Sequence, residues 1–154
     1  RTDRGDIKFE NIYYMHDGAV YTFAGKSVLV IGGAYSVDKE YRLRKQAAGY
    51  LDYKWFPDEQ LSEEERKEIM DTAVEISNCD YVFTHTCPTS FVPTDTFLPG
   101  IDQSKVDRTM EDFLEDITKH LTFDKWYCGH WHIDRIVDNM RFMYRDIVKL
   151  GEMY

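Results

Sequence analysis

Cysteine is scarce in this chain: three residues, Cys79, Cys87 and Cys128, among 154. The number is odd and no C-x-x-C spacing occurs. This argues against a disulfide framework, and a reducing, cytoplasmic setting is expected. No apolar run approaches the ~18–20 residues of a membrane span. The first residues, RTDRGD, are charged and do not form a signal peptide. There is no initiator methionine, so the chain is expected to begin inside a longer protein. Basic charge is short too, with 19 Lys and Arg against 28 Asp and Glu and a net charge of −9. No basic stripe is present, which argues against nucleic-acid binding. An anionic substrate would need a local positive charge, and a bound metal ion can be that charge. Proline and glycine are sparse, at four and nine residues. No repeat, linker or low-complexity segment stands out.

The residues that are present describe one globular domain over 1–154. Hydrophobic residues make up 43% and aromatics 15%, which argues against disorder. "NIYYM" and "AVYTFAG" flank His16-Asp17-Gly18, a strong turn signal, and predict a hairpin. Val28 to Ile31 is a continuous apolar run, as in a strand buried on both faces. Gly32-Gly33 ends it and predicts a close backbone approach. "SVDKEYR" after this turn has helical i, i+4 spacing between Asp38 and Arg42. Ser62 and Glu65 form a capping box for a helix whose apolar face is Ile69, Ala73 and Ile76. "DYVFTH" is a short strand that runs into His85. The loop "CPTSFVPTDTFLPG" carries three of the four prolines and is long enough to be functional. A second helix presents Met110, Phe113, Leu114, Ile117 and Leu121. "KWYC" is a strand that ends in Gly129-His130-Trp131-His132, and a last hairpin turns at Asp138-Asn139. The order β-β-β-α-β-loop-α-β-β-β predicts sheets covered by helices.

The histidines carry the chemistry. In extended backbone, His130 and His132 would point to the same side, roughly 6–7 Å apart. That spacing serves one metal ion or two neighbouring ones. His85 follows a strand directly and His130 follows one through a single glycine, where open α/β sheets collect ligand groups. An isolated H-x-H is a weak signal, but two strands delivering histidine to the same place make metal the better reading. His16, in a turn, and His120, at a helix C-terminus, read as structural or solvent-facing. Cysteine-based phosphatase chemistry at Cys87 lacks the arginine that should follow within a few residues.

Three segments together resemble the calcineurin-like metallophosphoesterases. They are Gly32-Gly33-Ala34-Tyr35-Ser36-Val37-Asp38 with Arg42 and Trp55-Phe56-Pro57, then "DYVFTHTCPTS", then "KWYCGHWH". The resemblance runs from about Ile12 to Leu150. It implies an α/β (α+β) chain forming the C-terminal portion of a two-sheet β-sandwich flanked by helices. It implies a site for two divalent metal ions, Mn, Fe or Zn, that hydrolyses phosphomonoesters or phosphodiesters. Carried over by motif, His85 and His130 would hold the second metal and His132 the first. Tyr35, Asp38, Arg42 and Trp131 would line the substrate pocket.

The family's D-x-H, G-D-x-x-D and G-N-H-[DE] motifs do not occur in these 154 residues. They supply the remaining ligands, the bridging Asp and the catalytic histidine, so the residues present are not expected to turn over a phosphoester alone. The complete parent would be the hydrolase. The alternative is a non-catalytic, vestigial module that binds a metal or a partner, with the loop 86–100 as its surface. A partial sandwich would also leave strand faces free for self-association.

Overall fold

A computed structural model describes residues 13–97, 100 and 102–151. The chain forms an α/β fold built on one six-stranded mixed sheet. The strands are β1 (Val20–Phe23), β2 (Lys26–Ile31), β3 (Asn78–Thr84), β4 (Thr122–Cys128), β5 (Arg135–Val137) and β6 (Met140–Phe142). Their order across the sheet is β1-β2-β3-β4-β6-β5. The four central strands are parallel, and β1 and β5 pair antiparallel at the two edges. The helices are α1 (Lys39–Ala47), α2 (Glu63–Ile76) and α3 (Thr109–Thr118). No helix among the described residues is long and apolar enough to cross a membrane.

The strand register sorts the side chains cleanly. Leu29 stands beside Val82, and Val82 beside Trp126; Ile31 stands beside Thr84, and Thr84 beside Cys128. On β6, Met140 and Phe142 continue these rows. That face packs against Ile69 and Ala73 of α2 and Met110, Phe113, Leu114 and Ile117 of α3, with Leu121 just beyond it. The helices form where expected because their ends are specified locally. Ser62 Oγ accepts the Glu65 N–H and Glu65 returns a bond to the Ser62 N–H, closing the capping box. Ile69 and Ala73 are buried in the core, while Ile76 is only partly buried against it. The whole expected face of α3 is buried.

The opposite face carries Val28, Val30, Tyr81, Phe83 and Tyr127. Met143 and Val148 of the C-terminal segment pack on it, and the Gly151 N–H donates to the Tyr127 hydroxyl at 3.2 Å. Among the described residues there is one sheet, and the second sheet of the expected sandwich is not among them.

The hairpin assignment needs correction. β1 and β2 do form a hairpin, but its turn is Ala24-Gly25, with φ of 49° and 78°. Two positive φ values suit the twist of a tight hairpin, and they force Ala24 into the left-handed region. Asp17-Gly18 turns the chain into β1 instead, and its strand partner is not Tyr13–Met15, which is irregular. Asn11 and Ile12 of that expected strand lie outside the described residues. What Asp17 does is non-local: its carboxylate accepts the Gly32 N–H at 2.5 Å, across the end of β2.

Candidate functional site

Parallel strands end together, so β2, β3 and β4 deliver their following residues to one edge of the sheet. Gly32-Gly33 follows β2, His85 follows β3, and Gly129-His130 follows β4. The glycines answer to close neighbours. A Cβ on Gly32 would meet Asp17 Oδ1 at 2.6 Å, and Gly33 sits at φ 89° against the Glu59 carbonyl. The Gly129 N–H donates to the His85 carbonyl at 3.0 Å, tying the ends of β3 and β4 together.

His85 and His130 are brought together. Their ring centroids are 5.1 Å apart, edge to face. His132 stacks on Tyr144 at 4.9 Å. Tyr144 is held in turn by Asp134, whose carboxylate accepts the backbone N–H groups of Tyr144, Arg145 and Asp146. His132 is near enough to help lower the pKa of both other rings.

The backbone here is not the extended His-x-His of the sequence reading. His130 has φ 67° and His132 has φ 52°. The Trp131 N–H donates to the Gly129 carbonyl at 2.8 Å, so His130 is the centre of a three-residue turn. Left-handed backbone at a residue with a Cβ costs of order 1–3 kcal/mol, and such positions cluster at functional sites. Two occur here within three residues.

Burial and neighbouring charge keep the pair neutral. Desolvation first, then the charges of His85 and His132, pull the His130 pKa down to about 4. The Glu59 carboxylate opposes this only in part. Desolvation and then His132 lower His85 as well. A neutral imidazole keeps a lone pair for a metal or a proton at pH 7.

His85 opens on a cleft of 1220 Å³ whose walls include His16, Asp17, Gly32, Gly33, Glu59 and Thr84. His16 therefore lies in the same cleft, which its place in a turn did not reveal. Glu59 binds the Ser36 N–H at 3.0 Å and the Ser36 hydroxyl at 2.6 Å. A ladder of rings leaves the corner on its other side. Trp131 lies 5.1 Å from His130 and stacks on Phe97 at 6.0 Å, and Arg108 sits 5.5 Å over Phe97.

Of the expected pocket residues, Trp131 touches His130. Asp38 and Arg42 form an exposed i, i+4 ion pair at 2.8 Å, and Arg42 also reaches the Lys54 carbonyl. Tyr35 lies 6.0 Å under the Lys39 ammonium. These three are not among the walls of the cleft at His85. Glu59, Asp17, Tyr144 and Arg108 went unread in the sequence, because no local pattern marks them.

All three cysteines are buried and free. Contact with Cys87 and then burial push the Cys128 thiol far up, and burial holds Cys79 up at about 11. Neither Cys79 nor Cys128 is a thiolate nucleophile at neutral pH.

Neither a family model, nor a curated protein, nor a solved structure matches the chain. The donor set suits a transition metal in kind, being neutral imidazole. It falls short in number. Among the described residues, no group of three or more His, Cys, Asp or Glu side chains is placed to hold a metal ion.

Proposed function

We propose that this chain carries the histidine share of a metal-dependent phosphoesterase site. His85, His130 and His132 would be ligands to two divalent ions, and the substrate would be a phosphomonoester or phosphodiester. The observation that supports this most is the 5.1 Å approach of two neutral histidine rings from the ends of adjacent parallel strands. One histidine from each of two of the motifs takes part in that approach. When bound, the metals would supply positive charge for a phosphoryl oxygen and an activated water. The work of this chain is to hold His85 and His130 neutral and close together. The missing carboxylate ligands would come from residues other than those described, and so would a second sheet packed over Val30, Phe83 and Tyr127 as in a two-sheet sandwich. A mixed sheet with a parallel centre, helices on one face and apolar side chains on the other fits that arrangement.

A second reading, a non-catalytic module that binds a metal or a partner, is favoured by the lack of a third close ligand among the described residues. Calorimetric titration with Mn²⁺ and Co²⁺, and hydrolysis of p-nitrophenyl and bis-p-nitrophenyl phosphate, separate the two. The assays compare these 154 residues with a version extended by the upstream coding sequence. The phosphoesterase reading expects turnover in the extended protein alone, lost in His130→Asn. No turnover in either version selects the binding module.

A further inference from the structure

We infer that Glu111 is a positioning residue for His85, acting through Thr86. Glu111 is 3% exposed, in the first turn of α3, among Met110, Phe113 and Leu114. A buried carboxylate in such a cluster works against stability unless its oxygens are bonded. Only one is: Oε1 accepts the Thr86 hydroxyl at 2.7 Å, and Oε2 has no partner among the described residues. A leucine would suit the surrounding cluster better. What the carboxylate does provide is a fixed anchor for the residue that follows His85, and Thr86 is itself 0% exposed.

The residue before His85 is anchored as well. The Trp126 indole N–H donates to Thr84 Oγ1 at 2.7 Å, and the Thr84 hydroxyl donates to the Thr86 carbonyl. The His85 carbonyl accepts the Gly129 N–H. A single polar chain therefore runs from Trp126 through Thr84 and Thr86 to Glu111, and it brackets His85 on both sides. His85 is an exposed residue on the cleft wall, and the ring that meets it is His130, so its place depends on how its own peptide is held. The bracket sets the peptide, and the peptide sets where the ring meets His130. The competing explanation is that Glu111 only complements the dipole of α3. That role does not require Thr86.

The consequence for a metal rests on the phosphoesterase reading, but the test does not. Replacing both buried partners by apolar residues is close to neutral for stability, whereas removing one strands the other. The decisive variant is therefore the double substitution Thr86→Val with Glu111→Leu, studied without metal by NMR. In wild type, a nuclear Overhauser contact between the His85 and His130 rings is expected at their 5.1 Å separation. In the double variant this contact is lost and the His85 ring resonances shift, while those of the remote His120 stay in place. Glu111→Gln keeps an acceptor for Thr86 and retains the contact. Persistence of the contact and of the His85 shifts in the folded double variant overturns the inference. If the double variant does not fold, Thr86→Val alone carries the same readout. Should wild type bind metal, affinity in the double variant falls by about 10-fold or more, as when a ligand loses its outer support. Wild type that binds no metal retires the metal reading, and the ring contacts still decide the role of Glu111.

Discussion

The rings of His85 and His130 meet edge to face at 5.1 Å, each at the end of a different parallel strand. Their approach is set by the bond between Gly129 and His85 and by a left-handed backbone at His130. Both features bear on stability as well as on any ligand.

The first prediction concerns pH. The His130 pKa is depressed to about 4 by burial and by His85 and His132, against about 6.5 in an unfolded chain. Between these values the unfolded state binds more protons, so stability rises with pH. Wild type should lose stability as pH falls from about 6.5 to 4. His130→Asn, which tolerates a left-handed backbone, should lose less over the same window. Urea unfolding at a series of pH values measures this. Equal pH slopes for the two proteins would contradict it.

A second acid-sensitive point lies far from the histidines. Asp80 accepts from the Lys26 ammonium at 2.6 Å and from the Ser27 N–H and hydroxyl at 2.8 and 2.9 Å. The Lys26 bond, then those from Ser27, hold its pKa at about 2. A depressed carboxylate stabilises the fold above its unfolded pKa of about 3.8 and loses that contribution as pH falls through 2. Asp80→Asn should flatten the acid limb of stability between about pH 4 and 2. Circular dichroism melts across that range provide the check.

Ala24 supplies the third prediction. Its φ of 49° in the turn between β1 and β2 carries the left-handed penalty for a residue with a Cβ, about 1 kcal/mol. Glycine adopts that backbone freely. Ala24→Gly should raise stability by up to about 0.5 kcal/mol, net of the entropy that glycine adds to the unfolded chain. A lower midpoint in urea would show that the turn does not hold its positive φ in solution.

Arg42 gives the fourth. Its pairing with Asp38 is exposed on both sides, and exposed pairs contribute about 0–1 kcal/mol. Arg42→Ala should change stability by no more than about 1 kcal/mol and leave metal titrations unchanged. A loss of phosphoester affinity in an active extended protein, at unchanged stability, would instead assign Arg42 to the substrate.

Sequence alone determined the elements whose cause is local. Ser62 and Glu65 cap α2 within one turn, the spacing from Met110 to Leu121 defines the buried face of α3, and Asp138-Asn139 turns β5 into β6. The run Val28–Ile31 identified a central strand, since only a strand covered on both sides is apolar at successive positions. Tertiary structure decided the rest. Asp17-Gly18 and Ala24-Gly25 are both adequate turns, and strand pairing chose the second. An extended His-x-His was reasonable from strand geometry, yet the bonds Gly129 makes with His85 and Trp131 turn the backbone left-handed there. Nothing local marks Glu111, and it is packing that buries it against Thr86. Tyr144, Glu59 and Asp17 reach the histidine corner only because parallel strands end at a common edge. Local patterns report the few residues on either side of a position, and a site assembled from strand ends depends on residues distant in the chain.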